Sequence, residues 1–228
     1  MQSKIVRYEL GGALVWPSRS TSVLLRVRAM SVWFLSRFLL PLLLLVALGG
    51  CSKSPAEYVA TDITGANYAR DFHLIDQNGK PRSLADFRGK VVAIFFGYTH
   101  CPDVCPTTLS DFAMALKKMG KDASRVQVIF VTVDPERDTP ALLAQYVPAF
   151  NPGFLGMYTN EAGTVALAKE YKIFYQKQPL DENGRYTVDH SAGTYVYDTR
   201  GKLRLYMAYA EGPDAISKDL SQLLAESD

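Results

Sequence analysis

Two stretches of the chain are apolar almost throughout: Val91-Val92-Ala93-Ile94-Phe95-Phe96, and Val126 to Val133 with only Gln127 and Thr132 as interruptions. Both are rich in β-branched and aromatic residues and neither alternates with polar ones, so both are predicted to be strands buried on both faces. Between them Leu109, Phe112, Ala113, Leu116 and Met119 recur at three- and four-residue steps, which predicts an amphipathic helix over Thr107 to Met119. Strand, helix and strand make a βαβ unit with a right-handed crossover and parallel pairing. Ahead of it, Phe72 to Ile75 and the polar turn Asp76 to Lys80 predict an opening hairpin, and Ser83 to Lys90 a short helical turn or loop. Behind it, Thr139 is placed to cap a helix that starts at Pro140 and runs to about Phe150. Phe154 to Thr159 reads as a short strand, and Glu161 to Tyr171 as a helix.

The final third changes period. Phe174 to Lys177, Thr187 to His190, Gly193 to Asp198 and Leu203 to Met207 are strand-like, with turns at Asp181-Glu182-Asn183-Gly184 and Thr199-Arg200-Gly201, so antiparallel hairpins are expected. A closing helix from about Pro213 to Ala225 carries Ile216, Leu220, Leu223 and Leu224 at core spacing. This order of elements is that of an α/β, thioredoxin-like fold with an N-terminal hairpin, occupying residues 70–228, with Gly153 to Arg185 as an inserted segment.

Composition narrows the partners. A chain of 228 residues with 48% hydrophobic and 21% charged positions can bury one good core, and a formal charge of +2 without a basic run points away from nucleic acid. Phe38 to Leu48 is an apolar segment of signal-peptide length, preceded by Arg37 and closed by Leu48-Gly49-Gly50-Cys51, which is similar to a bacterial lipobox. Residues 30–50 then read as a lipoprotein signal peptide and Cys51 as the lipidated residue. Residues 51–69 become an anchor and tether, and the domain faces the periplasm from the cytoplasmic membrane. The alternative is an uncleaved span from about Val32 to Leu48. Residues 1–29 fit neither reading and suit a misassigned start or a disordered extension.

Of three cysteines, two stand four apart in Gly97-Tyr98-Thr99-His100-Cys101-Pro102-Asp103-Val104-Cys105-Pro106, at a strand-to-helix junction. Cys105 falls at the helix start, where unpaired N–H groups and the helix dipole favour a thiolate, so a lowered pKa is expected there. Two sulfurs that share a metal sit about 3.5 to 4 Å apart, against about 2.05 Å in a disulfide, and the Cys-x3-Cys loop admits either. A structural disulfide is the weakest option, because so short a loop removes little unfolded-state entropy.

Two thiolates leave a borderline metal short of ligands. Among the three histidines, His190 precedes the strand around Tyr195, where a thioredoxin-type fold brings a loop against the first helix, and is the candidate third ligand. The plainer alternative is a hydrogen-bonded histidine at a strand end. Two thiolates and an imidazole suit copper, as Cu(I) and Cu(II), ahead of zinc. His100 points away from its neighbour Cys101 in an extended loop, and His73 is a surface residue of the opening hairpin. Asp103, Asp134 and Asp189 are candidates for supporting roles around the site, each with a turn-stabilising alternative, and none is read as a ligand.

The ten residues from Gly97 to Pro106, then Val133-Asp134-Pro135-Glu136-Arg137-Asp138-Thr139-Pro140, then Asp189-His190-Ser191, resemble the three signatures of the Sco/SenC copper chaperones in order and separation. The similarity runs from about Gly65 to the C-terminus. It implies a membrane-anchored thioredoxin-like domain that binds one copper ion through Cys101, Cys105 and His190, with Cys101 and Cys105 also able to form a redox-active disulfide. The implied task is to deliver copper to, or reduce the cysteines of, the dinuclear copper centre in subunit II of cytochrome c oxidase. A thioredoxin-like reductant and another copper chaperone are the implied further partners, and some members of that family act in copper or redox homeostasis. Where thioredoxins place a cis-proline opposite the dithiol, this chain places His190, which favours coordination over exchange. A lipid at Cys51 would stand in for the family's usual transmembrane anchor. The reading of a different class is a thiol-disulfide reductase, or a peroxidase-like relative, with Cys101 attacking and Cys105 resolving.

Overall fold

The computed structural model describes residues 57–227. The two apolar runs are its centre: Val91–Gly97 (β4) and Val126–Thr132 (β5) are buried at every position. They pair in parallel, from Val91 opposite Val126 to Gly97 opposite Thr132. Even the polar Gln127 is accommodated, its side-chain amide donating to the Gly153 carbonyl at 2.8 Å. Val104–Met119 (α1) connects them, burying Cys105, Thr108, Leu109, Phe112, Ala115 and Leu116. Ala115 takes part in that face, while Ala113 and Met119, expected on it, sit at its partly buried margin.

The first strand, Thr61–Asp62 (β1), precedes the hairpin of His73–Asp76 (β2) and Pro81–Ser83 (β3). After β5 come Pro140–Phe150 (α2), Leu155–Tyr158 (β6) and Glu161–Tyr171 (α3). Then follow Tyr175–Lys177 (β7), Val188–His190 (β8), Thr194–Tyr197 (β9), Leu203–Met207 (β10) and Gly212–Ser227 (α4). Eight strands form one sheet in the order β1-β10-β9-β4-β5-β6-β2-β3, with β4, β5 and β6 parallel and the outer pairings antiparallel. The arrangement is thioredoxin-like, as the element order predicts, and α1 packs against α4, on which Leu220 and Leu223 are fully buried. Thr139 caps α2 through Leu142 N–H, and Asn160 caps α3 through Gly163 N–H.

Two expectations need revision in detail. The stretch of the tether that is described, 57–69, is packed: Thr61 and Asp62 pair with Tyr206 and Leu205, and Ala60 and Ala69 are buried. The fully buried Asp219 carboxylate on α4 accepts from Val59 N–H at 3.0 Å and Ala60 N–H at 2.8 Å, and Tyr197 Oη donates to the Ala69 carbonyl at 2.7 Å. A two-residue strand has no period to read, its partners are Tyr206 and Leu205, and Asp219 lies 160 positions from Val59, so local pattern is silent there. The segment Gly153 to Arg185 also divides: β6 enters the main sheet between β5 and β2, whereas β7 pairs only with β8 in a separate two-stranded sheet.

Residues 1–56, including Cys51 and the apolar run before it, lie outside the described residues. Among the described residues no helix is long and apolar enough to cross a membrane.

Replacing Asp219 by alanine strands the buried Ala60 N–H and releases the more exposed Val59 N–H, and is expected to lower the unfolding free energy by about 2 kcal/mol. Urea denaturation of the full chain measures this, and an unchanged midpoint would show that the N-terminal segment contributes nothing.

Candidate metal centre

The parallel strands β4 and β5 end side by side, and everything with reactive chemistry gathers at that end. Past Gly97 the chain turns through Tyr98 to Asp103, with Cys101 N–H bonded to the Tyr98 carbonyl at 3.3 Å, and enters α1 at Val104. Cys105, in the first turn of α1, is fully buried and Cys101 is half-buried; both are free thiols. Gly97 permits the close approach: a Cβ there would lie 2.6 Å from Cys105 Sγ and 2.9 Å from Phe130 Cε2.

His190 closes the group from the end of β8. Its Nε2 lies 3.5 Å from Cys105 Sγ, and the ligand atoms of Cys101, Cys105 and His190 all lie within 4.8 Å of one another. Among the described residues this is the one such cluster of three or more potential ligands. His190 Nδ1 is 3.0 Å from the Ser191 carbonyl, an acceptor only, so in the neutral ring Nδ1 carries the proton and the Nε2 lone pair faces the sulfurs. The rings of Tyr98 and Phe95 meet the imidazole edge-to-face at 5.8 and 6.2 Å. Two sulfurs and an imidazole nitrogen converging at the sheet edge are a donor set for a soft or borderline metal ion.

The sulfurs are not equivalent, and the difference runs opposite to the expectation from the helix start. A hydrogen bond from the Cys105 side chain holds the Cys101 thiol down to about 3. Cys105 is pushed up, first because its proton is held in that bond and then because it is buried. The helix terminus favours negative charge locally, but the shared hydrogen bond and then the burial of Cys105 work against it there, and the charge settles on the sulfur nearer to water. The metal-free pair is therefore one thiolate sharing one proton, and a metal held by both sulfurs must displace that proton.

Of the acidic candidates, Asp134 is fully buried beneath the site, accepting from Tyr186 Oη at 2.9 Å and Arg137 Nε at 2.5 Å. Asp103 is exposed before α1, with only Thr107 Oγ1 at 3.4 Å, and Asp189 accepts from Gln178 Nε2 at 2.7 Å on the outer side of the β7–β8 hairpin. Asp103 reaches the site through its backbone N–H, which bonds the Cys101 sulfur, and neither carboxylate is bonded to the imidazole or the sulfurs. His100 faces Thr99 Oγ1 at 3.1 Å and Asp138 at 3.7 Å, and the exposed His73 stands beside Asp71 outside the cluster.

Two residues at the site carried no individual assignment from sequence. Asp138 is fully buried and accepts from Thr99 N–H at 2.9 Å, Thr99 Oγ1 at 2.6 Å and Thr132 Oγ1 at 2.6 Å. Arg137 donates from Nη1 to the Tyr186 carbonyl at 2.8 Å and stacks over the Tyr186 ring, 3.5 Å from its centroid. The signal available was the density of charge in Asp134 to Asp138 directly after a buried strand, where a solvated turn is the simplest reading.

The SCO1/SenC family model matches residues 60–225. Over 157 residues the chain is 37% identical to the mouse (Mus musculus) mitochondrial protein SCO2 homolog, a match that covers 68% of this chain and 62% of that protein. The chain thus matches under two thirds of that relative's length. An SCO2-like protein of Rickettsia felis is 33% identical over 180 residues, covering 78% of this chain and 88% of the relative. The structure of Bradyrhizobium japonicum ScoI with copper bound superposes with a TM-score of 0.62 at 40% identity, over 67% of this chain and 97% of that one.

Because Cys101 loses its proton far below the usual cysteine range, its thiolate fraction stays near one from about pH 8 down to about pH 5. Iodoacetamide labelling of the reduced, metal-free chain, mapped by peptide mass, should be nearly flat for Cys101 across that range and slow for Cys105. Cys105→Ala removes the donor and should move the fall-off in Cys101 labelling upward in pH. Labelling of Cys101 that falls about tenfold per pH unit in the unaltered chain would overturn this assignment.

Proposed function

The chain belongs to the SCO1/SenC family, and from that premise we propose that it is a copper metallochaperone anchored on the periplasmic face of the cytoplasmic membrane, with lipid at Cys51 as the anchor. Its cargo is copper, as Cu(I) or Cu(II), held by Cys101, Cys105 and His190. Its client is the dinuclear copper centre in subunit II of cytochrome c oxidase. A thioredoxin-like reductant keeps the dithiol open, and another copper chaperone supplies the metal.

The observation that carries this reading is the convergence of two sulfurs and one imidazole nitrogen within 4.8 Å, with Nδ1 engaged by a backbone carbonyl so that Nε2 faces inward. Disulfide exchange has no use for such an imidazole. The copper-bound state of the Bradyrhizobium relative, at 40% identity, supports the choice of metal. The unequal burial of the sulfurs supports a direction for transfer: thiolates or imidazoles of the recipient reach the half-buried Cys101 first, share the cargo, and displace Cys105 and His190 afterwards.

One observation favours the second reading, a thiol-disulfide reductase. A half-exposed thiolate at Cys101 next to a buried, protonated Cys105 is the arrangement of an attacking and a resolving thiol. The two activities are compatible, since copper binding needs both thiols reduced.

Anaerobic titration of the reduced full chain carrying Cys51→Ser should show a single copper ion per chain and, with Cu(II), an intense sulfur-to-copper absorption band. His190→Ala should shift or bleach that band, and replacing both cysteines should abolish binding. Binding that survives loss of both cysteines sinks the metallochaperone reading. Multiple-turnover disulfide reduction that is indifferent to His190→Ala would establish the reductase in its place.

A further inference from the structure

The ligands come from two parts of the chain, Cys105 and His190 being 85 positions apart, and no sheet ladder joins them directly. The dithiol loop leaves the main sheet at Gly97. His190 sits on β8, whose backbone pairing is with β7 alone. Hydrogen bonds of the main sheet therefore do not set how far the imidazole stands from the sulfurs.

One turn touches both parts. Asp134 to Asp138 follows β5 and is locked by its own bonds, Arg137 N–H and Asp138 N–H donating to the Asp134 carbonyl at 3.2 and 3.0 Å. From it, Asp138 holds Thr99, two residues before Cys101, through both backbone N–H and hydroxyl, and ties it to Thr132 at the end of β5. In the other direction Asp134 and Arg137 hold Tyr186, four residues before His190, at its hydroxyl, its carbonyl and its ring face. Glu136 of the same turn pairs with Lys177 of β7. Arg137 also lies 5.6 Å from the centroid of Tyr98, whose ring packs on His190.

The geometry points to a new role for this turn: it is a two-armed brace, with Asp138 positioning the dithiol loop and Asp134 with Arg137 positioning the His190 hairpin, so that the ligand set is assembled through the end of β5. These are positioning residues and none touches the site of the metal. Apart from the contact of Arg137 with the Tyr98 ring, the arms share no side chain, so each should loosen chiefly its own ligand segment. The brace itself is a property of the metal-free chain; only its consequence for copper rests on the function proposed above.

The test uses the reduced, metal-free full chain and amide hydrogen exchange resolved by segment. Tyr186→Phe deletes one hydroxyl and keeps the stacked ring, and Arg137→Met removes the guanidinium. Both should speed exchange over residues 175–190 by about tenfold or more, the loss expected for a hydrogen bond to a charged group; Tyr186→Phe should leave 97–105 unchanged, and Arg137→Met, which also removes the contact with Tyr98, should change it far less than 175–190. Asp138→Asn, or Thr99→Val if that variant fails to fold, should do the reverse. With Cu(II) added, the hairpin variants should lose nitrogen hyperfine coupling while the midpoint potential of the metal-free dithiol stays put, and the Asp138 variant should shift that potential while nitrogen coupling persists. Exchange that rises equally in both segments for every variant, or in neither, overturns the brace. A wild-type chain that binds no copper overturns the proposed function, while the exchange pattern still decides the brace.

Discussion

The in-register parallel pairing of β4 with β5 is the constraint on which the rest depends. Both strands are buried throughout, so a slip of one residue would exchange the faces on which every side chain lies, and the pairing is held by packing on both sides. Its register brings Gly97 opposite Thr132, and Val133 N–H continues the ladder by donating to the Gly97 carbonyl at 2.8 Å. The loop that carries the thiols and the turn that carries Asp134, Arg137 and Asp138 therefore leave the sheet at the same level. Gly97 adds the local condition, because any side chain there would displace Cys105 Sγ.

Buried carboxylates do much of the long-range fastening. Asp138, Asp134 and Asp219 are fully buried, and each is met by two or more donors from distant or adjoining segments. A charge without partners in such places would be costly, whereas one saturated with directed donors holds the segments that supply them. Asp219 does this for the start of the domain, Asp138 for the thiol loop and Asp134 for the histidine hairpin. The same balance of burial against partners governs the sulfurs: the buried Cys105 keeps its proton and, by donating it, stabilises the charge on Cys101.

Where amino acids repeat with a regular period, structure was legible. The buried strands followed from unbroken apolar runs, the helix over Pro140–Phe150 from its Thr139 cap and Pro140, and the core positions Ile216, Leu220, Leu223 and Leu224 from helical spacing. The residue types of the candidate site were legible too, since cysteine and histidine are few and each could be weighed singly. Thr61–Asp62 was not legible, because two residues make no pattern. The separate sheet of β7 and β8 was not either, because strand propensity says that a segment extends and not which neighbour it pairs with. Asp134 was a supporting candidate with a turn-stabilising alternative, whereas Arg137 and Asp138 carried no assignment, since charge in a turn is ordinarily exposed.

What the sequence determined by itself is the inventory: a thioredoxin-like order of elements, a Cys-x3-Cys loop at a strand-to-helix junction, and a histidine placed just before a later strand. These are local facts, readable from period and residue chemistry. Tertiary structure alone decided which thiol carries the charge, that Nε2 of His190 faces the sulfurs, and that two carboxylates of a charged turn, Asp134 and Asp138, are buried and bonded to the two halves of the ligand set. Each depends on burial and on partners far away in the chain, and desolvation and hydrogen-bond geometry exist only once those distant segments have been brought into contact.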